Sequence, residues 1–282
     1  MRIYGVDFTS APGASRAISV AECWLDSDRL RLVRPVLRVR SFPAFEECLA
    51  VPGPWVAGLD FPFGQPRRLV RGLGWPAEWA GYVGAVGEIS REQLGELLEM
   101  YRAARPAGDK EHLRSADRRA RAKSPMKWYG VPVGRMFDEG APRLLRSPVS
   151  VVPCRPVPGE DRVAVEAYPA LVARHLLGPR HSYKATKGRP TSTQEAARRE
   201  IVAGLASDRL ASRYGLRVEL PRALAAELVA DPRADLLDAV LAAVQAAWAW
   251  SRRGAGFGVP PDADPAEGWI VDPATAVPPA LA

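Results

Sequence analysis

Cysteine, histidine and long apolar runs are all scarce in this chain. Its 282 residues include three cysteines and three histidines. The cysteines Cys23, Cys48 and Cys154 are too scattered for a disulfide framework, and neither they nor the histidines show metal-ligand spacing. No stretch reaches the roughly 18 apolar residues of a membrane-spanning helix, and the first residues lack a signal-peptide core. We therefore expect a cytoplasmic protein with free thiols and no membrane partner.

Negative charge is also in deficit. The chain has 39 Lys and Arg residues against 32 Asp and Glu residues, which gives a net charge of +7. Such an excess favours a polyanionic partner, DNA or RNA, although an arginine-rich composition also follows from a GC-rich genome. The length and the 47% hydrophobic content are compatible with one α/β domain over residues 1–282.

Hydrophobic alternation and turn residues predict a mixed sheet flanked by helices. The predicted strands cover residues 2–9, 16–24, 30–40, 55–60 and 162–168. Short links make the first three antiparallel, whereas a helix over Phe42–Leu49, capped by Ser41, makes the fourth parallel to the first. Further helices are predicted over 91–105 after the cap Ser90, and over 169–177, 193–207 and 221–253. Residues 65–150 are otherwise irregular and form a basic insertion, and residues 254–282 are a Gly/Pro-rich tail.

Carboxylates stand where these strands end. Asp7 lies in YGVDFTS, Asp60 in WVAGLDFPFG and Glu166 in VAVEAYPA. If their strands are parallel neighbours, the three acids converge at one edge of the sheet. Asp235 and Asp238 lie on one face of a helix and precede the apolar run AVLAAVQAAWAW, so their end of a buried helix must face positive charge.

Carboxylate oxygens are hard ligands that suit Mg²⁺ or Mn²⁺, and two such ions can cleave a phosphodiester. The pattern therefore predicts a catalytic acidic cluster of Asp7, Asp60, Glu166, Asp235 and Asp238. The predicted metal ligands are Asp7, Asp60, Asp235 and Asp238. Structural roles stay open. Asp7 and Asp60 can be paired or turn-capping acids, and Asp235 can cap the helix with Asp238 in its first turn.

Four segments in this order, GVDFTSAP, GLDFPFG, EAYPALVAR and DLLDA, resemble the DUF429 family of predicted nucleases in the RNase H-like superfamily. SPMKWYGVPVGRMFDEGAPRLL and EGWI are similar to that family as well, so the resemblance runs from residue 3 to 271. It implies an RNase H-like fold with a five-stranded sheet. By position, Asp7, Asp60 and the pair Asp235/Asp238 correspond to the acids of such nucleases, whereas Glu166 has no equally firm counterpart.

Basic residues are concentrated in residues 101–127, which contain nine basic and three acidic residues and are followed by Trp128 and Tyr129. Cations beside stacking aromatics are typical of single-strand binding, although a solvated loop has the same composition. A second basic patch, residues 180–187, follows Glu166. The candidate substrate-binding residues are Arg118, Arg119, Arg121, Lys123, Lys127, Trp128, Tyr129 and Lys184.

These patterns favour a metal-dependent nuclease, a hydrolase acting on DNA or RNA. A nucleotide-binding phosphotransferase or ATPase of the actin-like or sugar-kinase type is an alternative, because those proteins also have an Asp on their first strand followed by small hydroxyl residues. Asp7-Phe-Thr-Ser fits that description but lacks the usual glycine. A non-catalytic nucleic-acid-binding module is the third possibility.

Overall fold

A computed structural model describes residues 1–130, 132–178, 182–185 and 190–276 of the chain. Within these residues one mixed sheet contains eight strands. The strands are β1 (Arg2–Asp7), β2 (Ile18–Asp26), β3 (Arg29–Leu32), β4 (Leu37–Val39), β5 (Trp55–Asp60), β6 (Ser150–Val152), β7 (Arg162–Glu166) and β8 (Arg217–Glu219). The helices are α1 (Phe42–Ala50), α2 (Arg67–Gly72), α3 (Trp79–Gly87), α4 (Arg91–Ala103), α5 (Ser115–Ala120), α6 (Val133–Arg146), α7 (Ala170–Leu177), α8 (Ser192–Gly204), α9 (Asp208–Tyr214), α10 (Arg222–Ala230), α11 (Asp235–Ser251) and α12 (Pro273–Ala276). No helix of the described residues has the length and apolar character needed to cross a membrane.

The strand order across the sheet is β6-β7-β5-β1-β2-β3-β8, with β4 paired to β2. The pairs that β2 makes with β1, β3 and β4 are antiparallel. The pairs β1–β5, β5–β7, β6–β7 and β3–β8 are parallel. The predicted antiparallel start and the parallel pairing of residues 55–60 with the first strand are confirmed. Because parallel strands run in one direction, the carboxyl ends of β1, β5 and β7 meet at one edge.

The prediction of five strands is too low. Residues 30–40, predicted as one strand, form the two short strands β3 and β4, because Pro35 between them has no N–H to donate to a ladder. The strands β6 and β8 contain only three residues each, which is too short for a recognisable alternation. Both lie at the ends of the strand order, so each pairs with the sheet on one side only.

The insertion is mostly helical, whereas the sequence predicts a single helix there. That helix, α4, has the predicted cap, with Ser90 Oγ accepting from Gln93 N at 3.2 Å and Gln93 Oε1 accepting from Ser90 N at 2.7 Å. The helices α2, α3 and α6 have no side-chain cap hydrogen bond. They therefore lack the polar start signal by which a helix is recognised in a sequence.

The predicted long helix over 221–253 is also two helices, α10 and α11. The chain between them contains Pro232, and Ala234 adopts a left-handed conformation with φ of 59°. Asp231 caps the second helix from outside, because its Oδ2 accepts from Leu236 N at 3.0 Å. Asp235 is therefore the first residue of α11 and not its N-cap.

Helices cover both faces of the sheet, and strand alternation decides which residues meet each layer. Ile3, Val56 and Val165 pack in a core with α7 to α11. Val6 and Leu59 face the other way and pack in a second core with α1 to α4 and α6. Residues on even and odd positions of β1 therefore belong to different cores, and Asp7 shares its face with Ile3.

Helix α11 lies directly on the strands because two glycines allow it. A Cβ placed on Gly5 would lie 1.9 Å from the carbonyl oxygen of Ala239, and one on Gly58 would lie 2.4 Å from that of Ala242. The helix interior is almost entirely buried, from Leu236 to Ala249. This close contact puts the first turn of α11 beside the carboxyl ends of β1 and β5.

The tail folds back on the sheet. Ile270 forms a parallel bridge with Glu166, and Val271 N donates to the Glu166 carbonyl at 2.9 Å. Trp269 is buried beside it, at 1% exposure. Residues 269–271 of the Gly/Pro-rich tail thus lie against the end of β7.

Candidate functional site

Three carboxylates meet at the edge of the sheet. Asp7 and Asp60 are register partners in the parallel ladder of β1 and β5, so their side chains leave the sheet on the same face. This is the face that α11 covers, and Asp238 lies in the first turn of α11. One ligand atom from each of the three residues lies within 4.8 Å of the other two. We refer to Asp7, Asp60 and Asp238 as the acidic triad.

Burial makes this cluster of like charges costly. Asp7 is 4% exposed and Asp238 is fully buried. Burial raises the pKa of Asp7 well above its ordinary value, and the nearby Asp238 carboxylate raises it further. Burial also raises the pKa of Asp60 to about 7, although the Lys184 charge acts in the opposite direction. Each shift means that the site disfavours an uncompensated negative charge.

Two of the three carboxylates have oxygen atoms free for a ligand. Asp7 Oδ2 is buried and has no hydrogen-bond partner among the described residues. Asp60 likewise makes no side-chain hydrogen bond or ion pair within that part of the chain. A buried carboxylate oxygen without a donor is rare in proteins, and such an oxygen is available to coordinate a cation or to accept a hydrogen bond. Oxygen-only donors at this spacing fit a divalent ion such as Mg²⁺ or Mn²⁺.

Asp238 differs because its oxygens are engaged by the chain itself. Tyr183 OH donates to Asp238 Oδ1 at 2.8 Å, and Lys184 Nζ forms an ion pair with Asp238 Oδ2. Burial raises the pKa of Asp238, and the Lys184 and Tyr183 contacts oppose that effect. Lys184, predicted as a substrate-binding residue, therefore contacts the acidic triad through Asp238.

The other two predicted acids lie outside the triad. Asp235 is one helical turn from Asp238 and pairs with Arg233, whose Nε is 3.4 Å from Asp235 Oδ2. Glu166 is the register partner of Leu59 and not of Asp60. Because side chains alternate along a strand, this offset of one residue directs Glu166 to the opposite face of the sheet.

Glu166 belongs to a buried charge network with Arg114 and Asp117. Arg114 Nη2 donates to Glu166 Oε1 at 2.5 Å and Nη1 donates to Oε2 at 2.8 Å. The same guanidinium donates to both Asp117 oxygens, at 3.0 and 2.8 Å. Phe63 N also donates a hydrogen bond of 3.0 Å to Glu166 Oε2. The network ties the insertion to the ends of β5 and β7.

A cavity of about 210 Å³ opens beside the triad. Its walls include Asp7, Asp60 and Glu166, together with the cations Arg16, Lys123 and Lys184. We call this cavity the acidic cleft. Arg16 and Lys123 are exposed, and their side chains make no hydrogen bond or ion pair within the described part of the chain. Both therefore have free positive charge to offer an anion that enters the cleft.

Sequence reasoning missed Arg16 and Arg114. The predicted hairpin contains a signal for Arg16. Ser19 lies opposite Asp7 in the ladder of β1 and β2, and Arg16 precedes Ser19 by only three residues. Arg114 is one of the nine basic residues of the 101–127 segment, and nothing in its local pattern separates it from the others. Its burial, at 1% exposure, is decided by the distant Glu166.

Of the eight predicted substrate-binding residues, only Lys123 and Lys184 line the acidic cleft. Arg118 donates to Leu113 O and Ser115 Oγ, and Arg119 donates to Thr275 O. Trp128 is half-buried against the second core. Tyr129 is 49% exposed, with the cations Arg102 and Lys127 over its ring. Arg121 is exposed at the end of α5. Of the second basic patch, residues 180, 181, 186 and 187 lie outside the described residues.

The fold and site define an α/β protein with a mixed sheet and a buried acidic triad that can hold a metal ion. The chain belongs to the DUF429 family, described as a protein of unknown function, whose family model matches residues 5–265. Searches of curated proteins and of solved structures found no match to the chain.

Proposed function

We propose that this protein is a divalent-metal-dependent nuclease with an RNase H-like fold. One observation carries the proposal: Asp7, Asp60 and Asp238 converge within 4.8 Å in a buried site, and Asp7 Oδ2 has no donor there among the described residues. Carboxylates so placed are expensive unless a cation compensates them. A hydrolase of phosphodiesters is the class of enzyme that most directly uses such a metal site.

The topology supports the RNase H-like part of the proposal. The central strands lie in the order β3-β2-β1-β5-β7, with an acid at the end of β1, another at the end of β5 and a third on the long helix α11. The resemblance noted in the sequence expects acids on the first strand, the fourth strand and the last helix. The strands β4, β6 and β8 and the helical insertion are additions around that core.

Asp7 and Asp60 would hold the metal, with Asp238 beside them. A bound Mg²⁺ or Mn²⁺ would activate a water molecule and stabilise charge on a phosphate oxygen. The chain itself supplies the remaining functions. Asp7 and Asp60 are fixed by the strand ladder, and α11 fixes Asp238. Arg16 and Lys123 at the rim would receive the substrate phosphate, and the Glu166–Arg114 network would position the wall of the acidic cleft.

The direct test is cleavage of labelled single-stranded and duplex DNA and RNA, with Mg²⁺, with Mn²⁺ and with chelator. We expect metal-dependent cleavage that Asp7→Asn reduces by about a hundredfold or more, because several kcal/mol of transition-state stabilisation depend on the ion. Asp26→Asn is the matched control, since Asp26 is exposed at the opposite end of β2.

Cleavage that survives Asp7→Asn would overturn the role of Asp7. Absence of cleavage of every polymer would overturn the nuclease proposal. Saturable ATP binding with turnover would then favour a phosphotransferase, and tight nucleic-acid binding that is insensitive to metal would favour a non-catalytic module.

A further inference from the structure

Lys184 has a position that the proposed function does not require. Its ammonium pairs with Asp238 Oδ2, and Tyr183 OH occupies Asp238 Oδ1. Its charge also acts on Asp7 and Asp60. The chain thus supplies one cation of its own to a site made of three acids, and it supplies that cation to the deepest of the three, Asp238, which is 0% exposed.

The backbone around Lys184 is anchored on both sides. The Lys184 carbonyl accepts from Gln194 Nε2 at 2.8 Å, and Ala185 N donates to the Pro232 carbonyl at 2.9 Å. The preceding carbonyl, of Tyr183, accepts from Arg198 Nη1 at 2.9 Å. Arg198 is itself 2% exposed, so it is a fixed donor. These contacts hold Lys184 between α8 and the segment that leads into α11.

We infer that Lys184 is a built-in monovalent cation of the acidic triad, which leaves the site with room for a single divalent ion, held by Asp7 and Asp60. This inference rests on the metal site of the proposed function. Two divalent ions about 3.5–4 Å apart would need Asp238 as a shared or second ligand. Both of its oxygens are already engaged by residues of the chain.

The charge balance within the triad agrees with this assignment. Three carboxylates carry −3, and the Lys184 ammonium reduces this to −2, which one divalent ion neutralises. Two divalent ions would leave the same four side chains with an excess of +2. Asp235 does not change the sum because it has its own partner, Arg233. Burial of the site makes such an imbalance costly.

The number of bound divalent ions tests this inference, and it can be measured without any substrate. Calorimetric titration with Mn²⁺ and electron paramagnetic resonance should give one ion per wild-type chain and no spin-coupled pair. Lys184→Met should admit a second ion and show the coupled signal, whereas Lys184→Arg should keep the charge and bind one. Lys110→Met is the matched control, because Lys110 is exposed and does not line the acidic cleft.

Two coupled ions in the wild-type protein would overturn the inference. One ion bound with unchanged affinity in Lys184→Met would overturn it as well. If Lys184→Met does not fold, as judged by circular dichroism, the wild-type and Lys184→Arg counts still decide between one ion and two. Absence of Mn²⁺ binding would overturn both proposals, whereas one bound ion without cleavage of any polymer would overturn the nuclease alone.

Discussion

Asp7 and Asp60 are register partners at the ends of two parallel strands, and both face the helix that carries Asp238. Two residues earlier on the same face, Gly5 and Gly58 are partners as well. The two glycines allow α11 to lie close to β1 and β5, and the two acids lie beside the first turn of that helix. Close packing of a helix on a sheet and assembly of a charged site therefore depend on the same two strands.

The glycine contact gives the first prediction. Gly5→Ala would put a methyl group 1.9 Å from the Ala239 carbonyl oxygen, so α11 must move away from β1. We expect a loss of about 3 kcal/mol or more in the free energy of unfolding, at the upper end of overpacking costs. Urea unfolding of both variants measures this loss in the free energy of unfolding. Gly13→Ala is the control, since nothing lies within 4 Å of a Cβ there. Equal stability of the two variants would contradict this account of α11 packing.

The triad predicts an unusual dependence of stability on pH in metal-free protein. Burial raises the pKa of Asp60 to about 7, so the folded state binds that proton more tightly than the unfolded state does. The stabilisation is full below the ordinary aspartate pKa of about 4 and is lost as the pH rises through about 7. We therefore expect a lower urea midpoint at pH 8 than at pH 5.5.

Asp60→Asn isolates the Asp60 contribution, because it should make the decline between those two pH values smaller while the raised pKa of Asp7 continues to contribute. Saturating Mn²⁺ should flatten it in the wild-type protein too, since the ion replaces the proton as the partner of the carboxylate. A decline of the same size in Asp60→Asn would assign the pH dependence to other residues.

The charge network gives a third prediction. Arg114→Met removes the partner of two buried carboxylates, Glu166 and Asp117. Breaking one side of such a network costs about 3–5 kcal/mol, because the remaining charges stay buried without compensation. Chemical denaturation should show this loss, and Arg118→Met, at an exposed position of the helix α5 that Arg114 precedes, should change stability by only about 0.5 kcal/mol.

Adding Glu166→Gln to Arg114→Met should restore part of the lost stability, since one uncompensated charge is removed. Strictly additive losses in the double variant would show that the network does not act as a unit.

The rim of the acidic cleft predicts how the substrate is held. Arg16→Ala and Lys123→Ala should each weaken nucleic-acid binding and raise KM, while Mn²⁺ affinity stays unchanged. Each removed phosphate contact should reduce the slope of log affinity against log salt by about 1. Lys110→Ala is the control from the same basic segment. An unchanged salt slope in both rim variants would mean that the phosphates lie elsewhere.

The sequence by itself is sufficient for the mixed sheet, for its antiparallel start and parallel continuation, and for a set of five acids that includes Asp7, Asp60 and Asp238. Alternation, turn residues and end-of-strand carboxylates are local signals, and a parallel ladder brings the ends of its strands together wherever it forms. The caps at Ser41 and Ser90 were readable for the same reason.

Only the tertiary structure decided the register of the parallel strands, the charged partners of Arg114 and Lys184, and the presence of the short strands. Glu166 also ends a strand, so the sequence predicts it beside Asp7 and Asp60, but an offset of one residue in the ladder directs it to the other face. Arg114 and Lys184 receive their roles from residues 52 and 54 positions away in the chain, Glu166 and Asp238. A local pattern carries no information on which distant charge a side chain will meet, because that choice is made when helices and strands pack together.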